Sequence, residues 1–307
     1  MTLPLGRPLR LGTRGSPLAL AQARLVATAL RIAHGWEEEA IEIIPITTSG
    51  DVIQDRPLAE VGGKALWTKE LDRCLLDGRT DMSVHSMKDV ETIRPDTLTI
   101  GAMLPRADPR DRLVGAESLA ALAPGARLGT SSPRREAQVR ARRPDVETVL
   151  LRGNVQTRLA KVERGDVDAT LLAAAGLDRL GLQAVGTPLD ELLPAPSQGA
   201  VGIETLADND QVQRLIQPVN DRSTSACVAL ERAFLAAVGG DCHSALAAHA
   251  TEDGDLILLK AEILSPDGRE VHAGEIRCAA AQLDAAAELA RTLLAQTSAP
   301  LRARFAA

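Results

Sequence analysis

The sequence predicts an α/β protein of two similar lobes followed by a small α+β domain, and three observations carry that prediction. Over roughly the first 200 residues, strand-like and helix-like segments alternate, the pattern of sheets flanked by helices. A short device occurs twice: Arg10-Leu11-Gly12-Thr13 with Ser16-Pro17, and Arg127-Leu128-Gly129-Thr130 with Ser132-Pro133. After Asn220 the alternation gives way to one helix, three strand-like runs and a closing helix. The boundaries read from these signals are residues 1–103 with 199–219 for the first lobe, 104–198 for the second, and 220–307 for the C-terminal α+β domain.

Taken in order, Leu9 to Thr13 reads as a strand that turns into an amphipathic helix from Leu18 to Ile32. Ser16 suits the N-cap of that helix and Pro17 its first position. The same device at Ser132-Pro133 opens helix-forming sequence from Arg134 to Arg142. Each copy therefore presents a helix N-terminus, where unpaired N–H groups and the dipole favour anions. Further strands are expected at Ile41 to Thr47, Thr97 to Met103, Thr148 to Leu151, Thr170 to Ala173 and Val201 to Glu204. Helices are expected at Lys64 to Leu76, Val155 to Arg164, Ala174 to Leu180 and Asn209 to Ile216. In such sheets ligands bind beyond the carboxyl ends of the strands, where Arg14, Lys88, Arg134 and Arg152 would project. The C-terminal part reads as a helix from Thr224 to Val238, strands at Ala245 to Ala250, Leu256 to Ile263 and Glu270 to Arg277, and a helix from Ala279 to Ala295. The long Gly- and Pro-punctuated stretch from Thr48 to Gly63 reads as a lid or a connector.

Composition narrows the function classes. Hydrophobic residues at 45% and charged residues at 25% are those of a globular protein with real cores, and no apolar run reaches the length of a membrane span. The N-terminus lacks the apolar core of a secretory signal, so the expected location is the cytoplasm. A net charge of −6 and 1% aromatic residues exclude a nonspecific nucleic-acid binder, which needs basic surface and stacking platforms. Cys74, Cys227, Cys242 and Cys278 lack zinc spacing and the five histidines do not supply it, so no metal site is expected.

Residues 84–90, Val-His-Ser-Met-Lys-Asp-Val, end a strand-like run in a Lys-Asp pair. Neighbouring charge and partial burial there set a carboxylate's protonation state, which makes Asp89 the first candidate for an acid/base; the alternative is an Asp that merely opens a helix. Only five of the 35 basic residues are lysines. Genome base composition accounts for an arginine excess, but not for Arg14, Arg134, Arg135, Arg152, Arg158 and Arg179 all falling in or beside turns. Arg152 at a strand end and Arg158 on the next helix would face one cleft, and planar guanidinium groups suit a substrate with several carboxylates. Cys242, in Gly-Gly-Asp-Cys-His-Ser-Ala, is the cysteine placed on a loop, suited to a nucleophile or an attachment point. The other three fit core positions.

Together these segments resemble the porphobilinogen deaminase family. The resemblance runs from Arg10 to about Ala250 through Gly-Thr-Arg-Gly-Ser-Pro-Leu-Ala-Leu, Val-Gly-Gly-Lys-Ala-Leu-Trp-Thr-Lys-Glu, His-Ser-Met-Lys-Asp-Val, Gly-Thr-Ser-Ser-Pro-Arg-Arg, Arg-Gly-Asn-Val-Gln-Thr-Arg, Pro-Ala-Pro-Ser-Gln-Gly-Ala-Val-Gly-Ile-Glu and the Cys242 loop. It implies two lobes like those of periplasmic binding proteins plus a third domain carrying the cofactor cysteine. The implied enzyme is a transferase of tetrapyrrole synthesis that condenses four porphobilinogen molecules head to tail, releasing ammonia, into hydroxymethylbilane; a monomer is the default expectation, which the sequence itself does not give. Its primer is a dipyrromethane cofactor joined by a thioether, here to Cys242. Loss of ammonia gives an azafulvene that the terminal pyrrole attacks, and Asp89 would stabilise the pyrrole N–H and shuttle protons. Arg14, Arg152, Arg158 and Arg179 would hold the substrate's carboxylates, with Ser16 and Gln22 as further contacts. Lys88, Thr130, Ser132, Arg134, Arg135 and again Arg158 would hold the cofactor, and Lys64 and Trp67 would help close the site.

Three departures from the family pattern bear on loop geometry: Glu91 where proline is frequent, Ser197 in place of glycine before Gln198-Gly199, and His243-Ser244-Ala245 after Cys242. Two rivals explain less. A noncatalytic anion-binding protein of the same architecture needs neither Asp89 nor Cys242, and a Cys-His hydrolase using Cys242 and His243 lacks an orienting partner.

Overall fold

β1 (Leu9–Arg14) starts from two fully buried leucines, Leu9 and Leu11, and runs parallel to β2 (Ile41–Ile46), with Leu9 opposite Ile41 and Arg14 opposite Ile46. The computed structural model to which these elements belong describes residues 3–48, 68–241 and 244–305. Lys64, Trp67, Cys242, His243 and residues 49–63 of the expected lid lie outside the described residues. Between β1 and β2 runs α1 (Pro17–His34), whose N-cap Ser16 accepts a hydrogen bond from the Ala19 N–H, with Pro17 at the first position as expected. α1 stops at Gly35, which takes φ 64°, a left-handed cap open to glycine without strain. α2 (Lys69–Leu76) precedes β3 (Met82–Ser86), which pairs parallel with β1 and leads into a single 3-10 turn, Met87–Asp89. β4 (Leu98–Met103) completes this stretch.

The second sheet repeats the plan. β6 (Arg127–Thr130) and β7 (Glu147–Leu150) are parallel, with α3 (Pro133–Arg142) between them and Ser132 as its N-cap. α4 (Val155–Glu163) leads to β8 (Ala169–Ala173), which pairs parallel with β6, and α5 (Ala174–Arg179) follows. Two short strands, β5 (Asp111–Val114) and β9 (Thr187–Leu189), were not expected from sequence; at four and three residues they are too brief to display alternation. With β10 (Val201–Leu206), the sheet orders become β2-β1-β3-β10-β4 and β7-β6-β8-β5-β9. In each, one strand runs antiparallel to its neighbours: β10 in the first and β5 in the second. The repeated Gly-Thr and Ser-Pro devices thus occupy equivalent places in two sheets of equivalent order.

The chain divides into two compact units, Met1–Arg106 with Ala200–Ser225 and Ala107–Gly199 with Ala226–Ala307. The first is built around Leu9, Leu11, Val26, Leu30, Val84 and Ile203. The second contains a core around Leu113, Leu128, Val139 and Leu171 and another in its C-terminal part around Phe234, Leu259, Ile263 and Leu293. That part consists of α7 (Arg222–Val238), an antiparallel sheet β11 (Leu246–Asp253), β12 (Leu256–Leu264) and β13 (Val271–Cys278), α8 (Leu283–Gln296) and a short α9 (Ala299–Arg302). α6 (Asp210–Ile216) precedes α7. The C-terminal sheet packs on α3 through Ala137, Ala245 and Leu264, and Gln138 Nε2 donates to Glu262 at 2.9 Å. The fold is therefore α/β with two similar sheets and a small α+β part, as the sequence predicts.

Candidate active site

In the first unit, a pocket is lined by Arg14, Ser16, Gln22, His85, Ser86 and Asp89, among others. β1 ends at Arg14, the α1 cap is Ser16, and Gln22 sits one turn into α1, so the strand-to-helix turn brings three candidates to one place. Gln22 is held in a reciprocal pair with Ser86, Nε2 to Oγ at 2.8 Å and Oγ to Oε1 at 3.1 Å. Asp89 closes the 3-10 turn after β3, half-buried, with Lys88 beside it. Below the turn lies a charge cluster absent from the sequence reading. Arg94 donates from Nε to Glu204 Oε1 at 2.8 Å, from Nη1 to Glu91 Oε2 at 2.7 Å and from Nη2 to Asp72 Oδ1 at 2.5 Å. His85 Nε2 lies 3.0 Å from Glu204 Oε2. Burial opposes the charge on Glu204, but His85 and Arg94 outweigh it and hold its carboxyl at about 2. Burial dominates at Asp72 and pushes its carboxyl up despite Arg94.

The second unit carries the opposite excess. Arg134 and Arg135, in the first turn of α3, both grip Asp111: Arg134 Nη2 to Oδ2 at 2.8 Å, and Arg135 Nη2 to Oδ1 at 2.7 Å. Asp111 is fully buried, and although burial works against its charge, the two guanidinium groups hold it well below the usual carboxylate range. Arg134 in turn is drawn below its ordinary value by burial, to which the charge of Arg135 adds, against the opposing pull of Asp111. Gln198 Nε2 joins them at 2.9 Å from Asp111 Oδ1. Thr130 Oγ1 accepts the Ser132 N–H at 3.1 Å, ordering the turn into α3.

Arg158 and Arg179 lie outside this triad. Arg158 donates from Nε to the Gly153 carbonyl at 2.9 Å and from Nη2 to Ser131 Oγ at 3.0 Å; Arg179 donates from Nη2 to the Gly199 carbonyl at 2.6 Å. Gly153 turns its carbonyl this way at φ 118°, and a Cβ there would meet the Thr157 side chain at 2.7 Å, so only glycine fits. Among the described residues, both arginines thus use carbonyl or hydroxyl oxygens, not carboxylates. Burial lowers each to about 10, with Arg135 and Arg152 adding to the effect at Arg158. Two donors in this set, Arg134 Nε and Arg152 Nη1, are buried without a hydrogen-bond partner among the described residues. Desolvated cations and orphaned donors of this kind fit a ligand that brings carboxylates.

Residues 9–214 match the family model "Porphobilinogen deaminase, dipyromethane cofactor binding domain", and residues 225–297 match "Porphobilinogen deaminase, C-terminal domain". The chain belongs to the porphobilinogen deaminase family. The porphobilinogen deaminase of Sphingopyxis alaskensis is 55% identical over 307 residues, 97% of each chain, and that of Paracoccus denitrificans 48% identical over 273 residues, 87% of each. With the family come the activity and the cofactor: a transferase of tetrapyrrole synthesis that joins porphobilinogen units head to tail on a bound dipyrromethane.

Of the residues expected from sequence, the first unit brings together Arg14, Ser16, Gln22 and Asp89, and the second assembles Thr130, Ser132, Arg134, Arg135, Arg152 and Arg158 around α3 and α4. Asp111, Gln198, Arg94 and Glu204 were not singled out. Asp111 opens a four-residue strand, so neither a motif nor a period marks it. Gln198 and Glu204 lay within a quoted segment but carried no charge-partner signal, since their partners are 87 and 110 residues away.

Proposed function

We propose that Asp89 is the catalytic acid/base of porphobilinogen condensation and that the arginines divide the carboxylates between them. The observation that carries this reading is the state of Arg158 and Arg179, two cations lowered to about 10 and bonded to neutral oxygens. Each gains when an anion arrives, and porphobilinogen brings an acetate and a propionate. Arg14, Arg152, Arg158 and Arg179, with Ser16 and Gln22, bind and orient the incoming substrate. Lys88, Thr130, Ser132, Arg134, Arg135 and Arg158 hold the dipyrromethane, Arg134 through the Nε that Asp111 leaves over, and Lys64 and Trp67 help close the site. When bound, the dipyrromethane supplies the pyrrole carbon at which the chain is extended. The Asp89 carboxylate accepts the pyrrole N–H of porphobilinogen, stabilises the positive charge that grows as ammonia leaves, and takes up the ring proton afterwards.

Cys242 is the attachment point in this reading, and the C-terminal part, residues 220–307, is a third domain beside lobes 1–103 with 199–219 and 104–198. A separate sheet and a separate core support that division. The enzyme acts as a cytoplasmic monomer. Cys74, Cys227 and Cys278 are buried thiols, in keeping with a reducing compartment, and no helix among the described residues is long and apolar enough to cross a membrane. Intact mass of protein purified from cells tests the assignment: an adduct of two pyrrole units is expected on Cys242, lost in Cys242→Ser and kept in Cys74→Ser, Cys227→Ser and Cys278→Ser. An adduct mapped to another cysteine would end it.

A further inference from the structure

We propose that Arg94 is a positioning residue for Asp89, acting through Glu91, so that an ionic clamp on the far side of the 3-10 turn fixes the direction of the catalytic carboxylate. The inference rests on the acid/base role given to Asp89 above.

A three-residue turn cannot hold itself. Residues Met87–Asp89 form a short turn in which the Val90 N–H donates to the Met87 carbonyl at 3.3 Å, and the direction of Asp89 also depends on what grips the chain before and after. Before the turn, the Met87 N–H donates to the Ala200 carbonyl at 3.1 Å, and the buried Met87 thioether lies over Gly202, where an added Cβ would come within 2.1 Å of the sulfur. After the turn, Val90 is extended at φ −93° and ψ 131°, and Glu91 takes the Thr68 hydroxyl at 2.9 and 3.0 Å and Arg94 Nη1 at 2.7 Å. Arg94 is itself immobilised by the two-point contact with Glu204 and by Asp72.

Gly202 and Glu204 are two residues apart on β10, hence on the same face of the sheet. One strand therefore anchors both ends of the turn, through a methionine at one end and an ion cluster at the other. Buried ion clusters add little net stability compared with apolar packing, because desolvation offsets the attraction. What the planar fork of Arg94 provides is direction, since its nitrogens reach three carboxylates at fixed angles, a geometry that a lysine ammonium lacks.

The test uses the cofactor-loaded enzyme and a double-mutant cycle. Arg94→Lys should lower the single-turnover rate of porphobilinogen addition roughly tenfold, within the range that a small misplacement of a reacting group produces. KM should stay within about twofold, and the intact mass should show full loading. In an Asp89→Asn background the same substitution should change the rate less than about twofold, because the group it positions is gone. An equal loss in both backgrounds, or no loss in the parent, overturns the inference. Should Arg94→Lys fail to fold, Glu91→Gln runs the same cycle, and Glu91→Pro, compatible with the extended Val90, should restore the rate by stiffening the backbone instead. If Asp89→Asn alone turned over within a few-fold of the parent, the acid/base reading would fail, an outcome separate from the cycle.

Discussion

The two units solve the problem of buried charge in opposite ways. In the first, three carboxylates, Asp72, Glu91 and Glu204, share Arg94. In the second, two arginines share Asp111, and Arg158 and Arg179 use neutral oxygens. The first arrangement saturates its cation and has nothing to offer an anionic ligand; it suits a scaffold beneath a catalytic carboxylate. The second leaves positive charge in a partly desolvated place, which suits a ligand bearing carboxylates. In the reading proposed above, the first arrangement supports Asp89 and the second receives carboxylates alongside Arg14.

Removing one carboxylate from each unit should break the comparison open. Asp111→Asn leaves two buried guanidinium groups without a counter-charge, and a broken buried pair costs about 3–5 kcal/mol. Glu204→Gln leaves Arg94 still paired with Asp72 and Glu91 but weakens its bonds to Arg94 and His85, so its cost should be about 2–3 kcal/mol, that of losing charge-assisted hydrogen bonds. Urea unfolding of the two variants measures both. Equal costs would mean that the sharing of charge does not distinguish the units. Arg179→Leu belongs to neither cluster and should leave stability nearly unchanged, while shifting the ladder of enzyme-bound intermediates in a mass spectrum.

Acid should expose the same difference more gently. The folded Glu204 carboxyl is lowered from its ordinary 4.5 to about 2, so its contribution is present in full above pH 4.5 and is lost as the pH falls toward 2. By pH 3 the loss is about 2 kcal/mol, at 1.36 kcal/mol for each pH unit. Asp72 is raised by burial and protonates earlier, which offsets part of that loss. Unfolding free energy measured at successive pH values should be level near neutrality and decline below 4.5, and Glu204→Gln should decline less steeply. A parallel decline would assign the acid sensitivity to other carboxylates.

What was legible in the sequence was local. The Ser16-Pro17 and Ser132-Pro133 helix starts, the two-lobe repeat and the place of Asp89 at the end of β3 depend on residues a few positions apart, and capping and periodicity report these. The expected β4, α4 and α5 differ from the observed elements by one residue at their ends. What was not legible was long-range. Asp111 matters because Arg134 and Arg135 fold onto it, and Arg94 because Glu204, 110 residues later in the chain, returns to the first sheet. The arginines were visible as a set, but the pairing of Arg134 and Arg135 on Asp111, set against the neutral oxygens used by Arg158 and Arg179, depends on a short strand that no pattern announced.

The smallest expected effect concerns the loop that joins these features. Ser197 replaces the glycine frequent in the family and sits at φ 64°, the one non-glycine residue with positive φ among the described residues. It is buried, and its N–H donates to Glu231 Oε2 at 2.6 Å, so the backbone is held in the left-handed region by its surroundings. A side chain there costs roughly 1–2 kcal/mol, whereas glycine loses about 0.5–1 kcal/mol more chain entropy on folding. Ser197→Gly should therefore be neutral to stabilising by about 1 kcal/mol. Loading and turnover should be unchanged, because Gln198 still reaches Asp111 and the Gly199 carbonyl still meets Arg179. Thermal unfolding with an intact-mass measurement checks both. A destabilised or poorly loaded Ser197→Gly would show that the serine, beyond filling a turn, helps hold the arginine side of the enzyme in place.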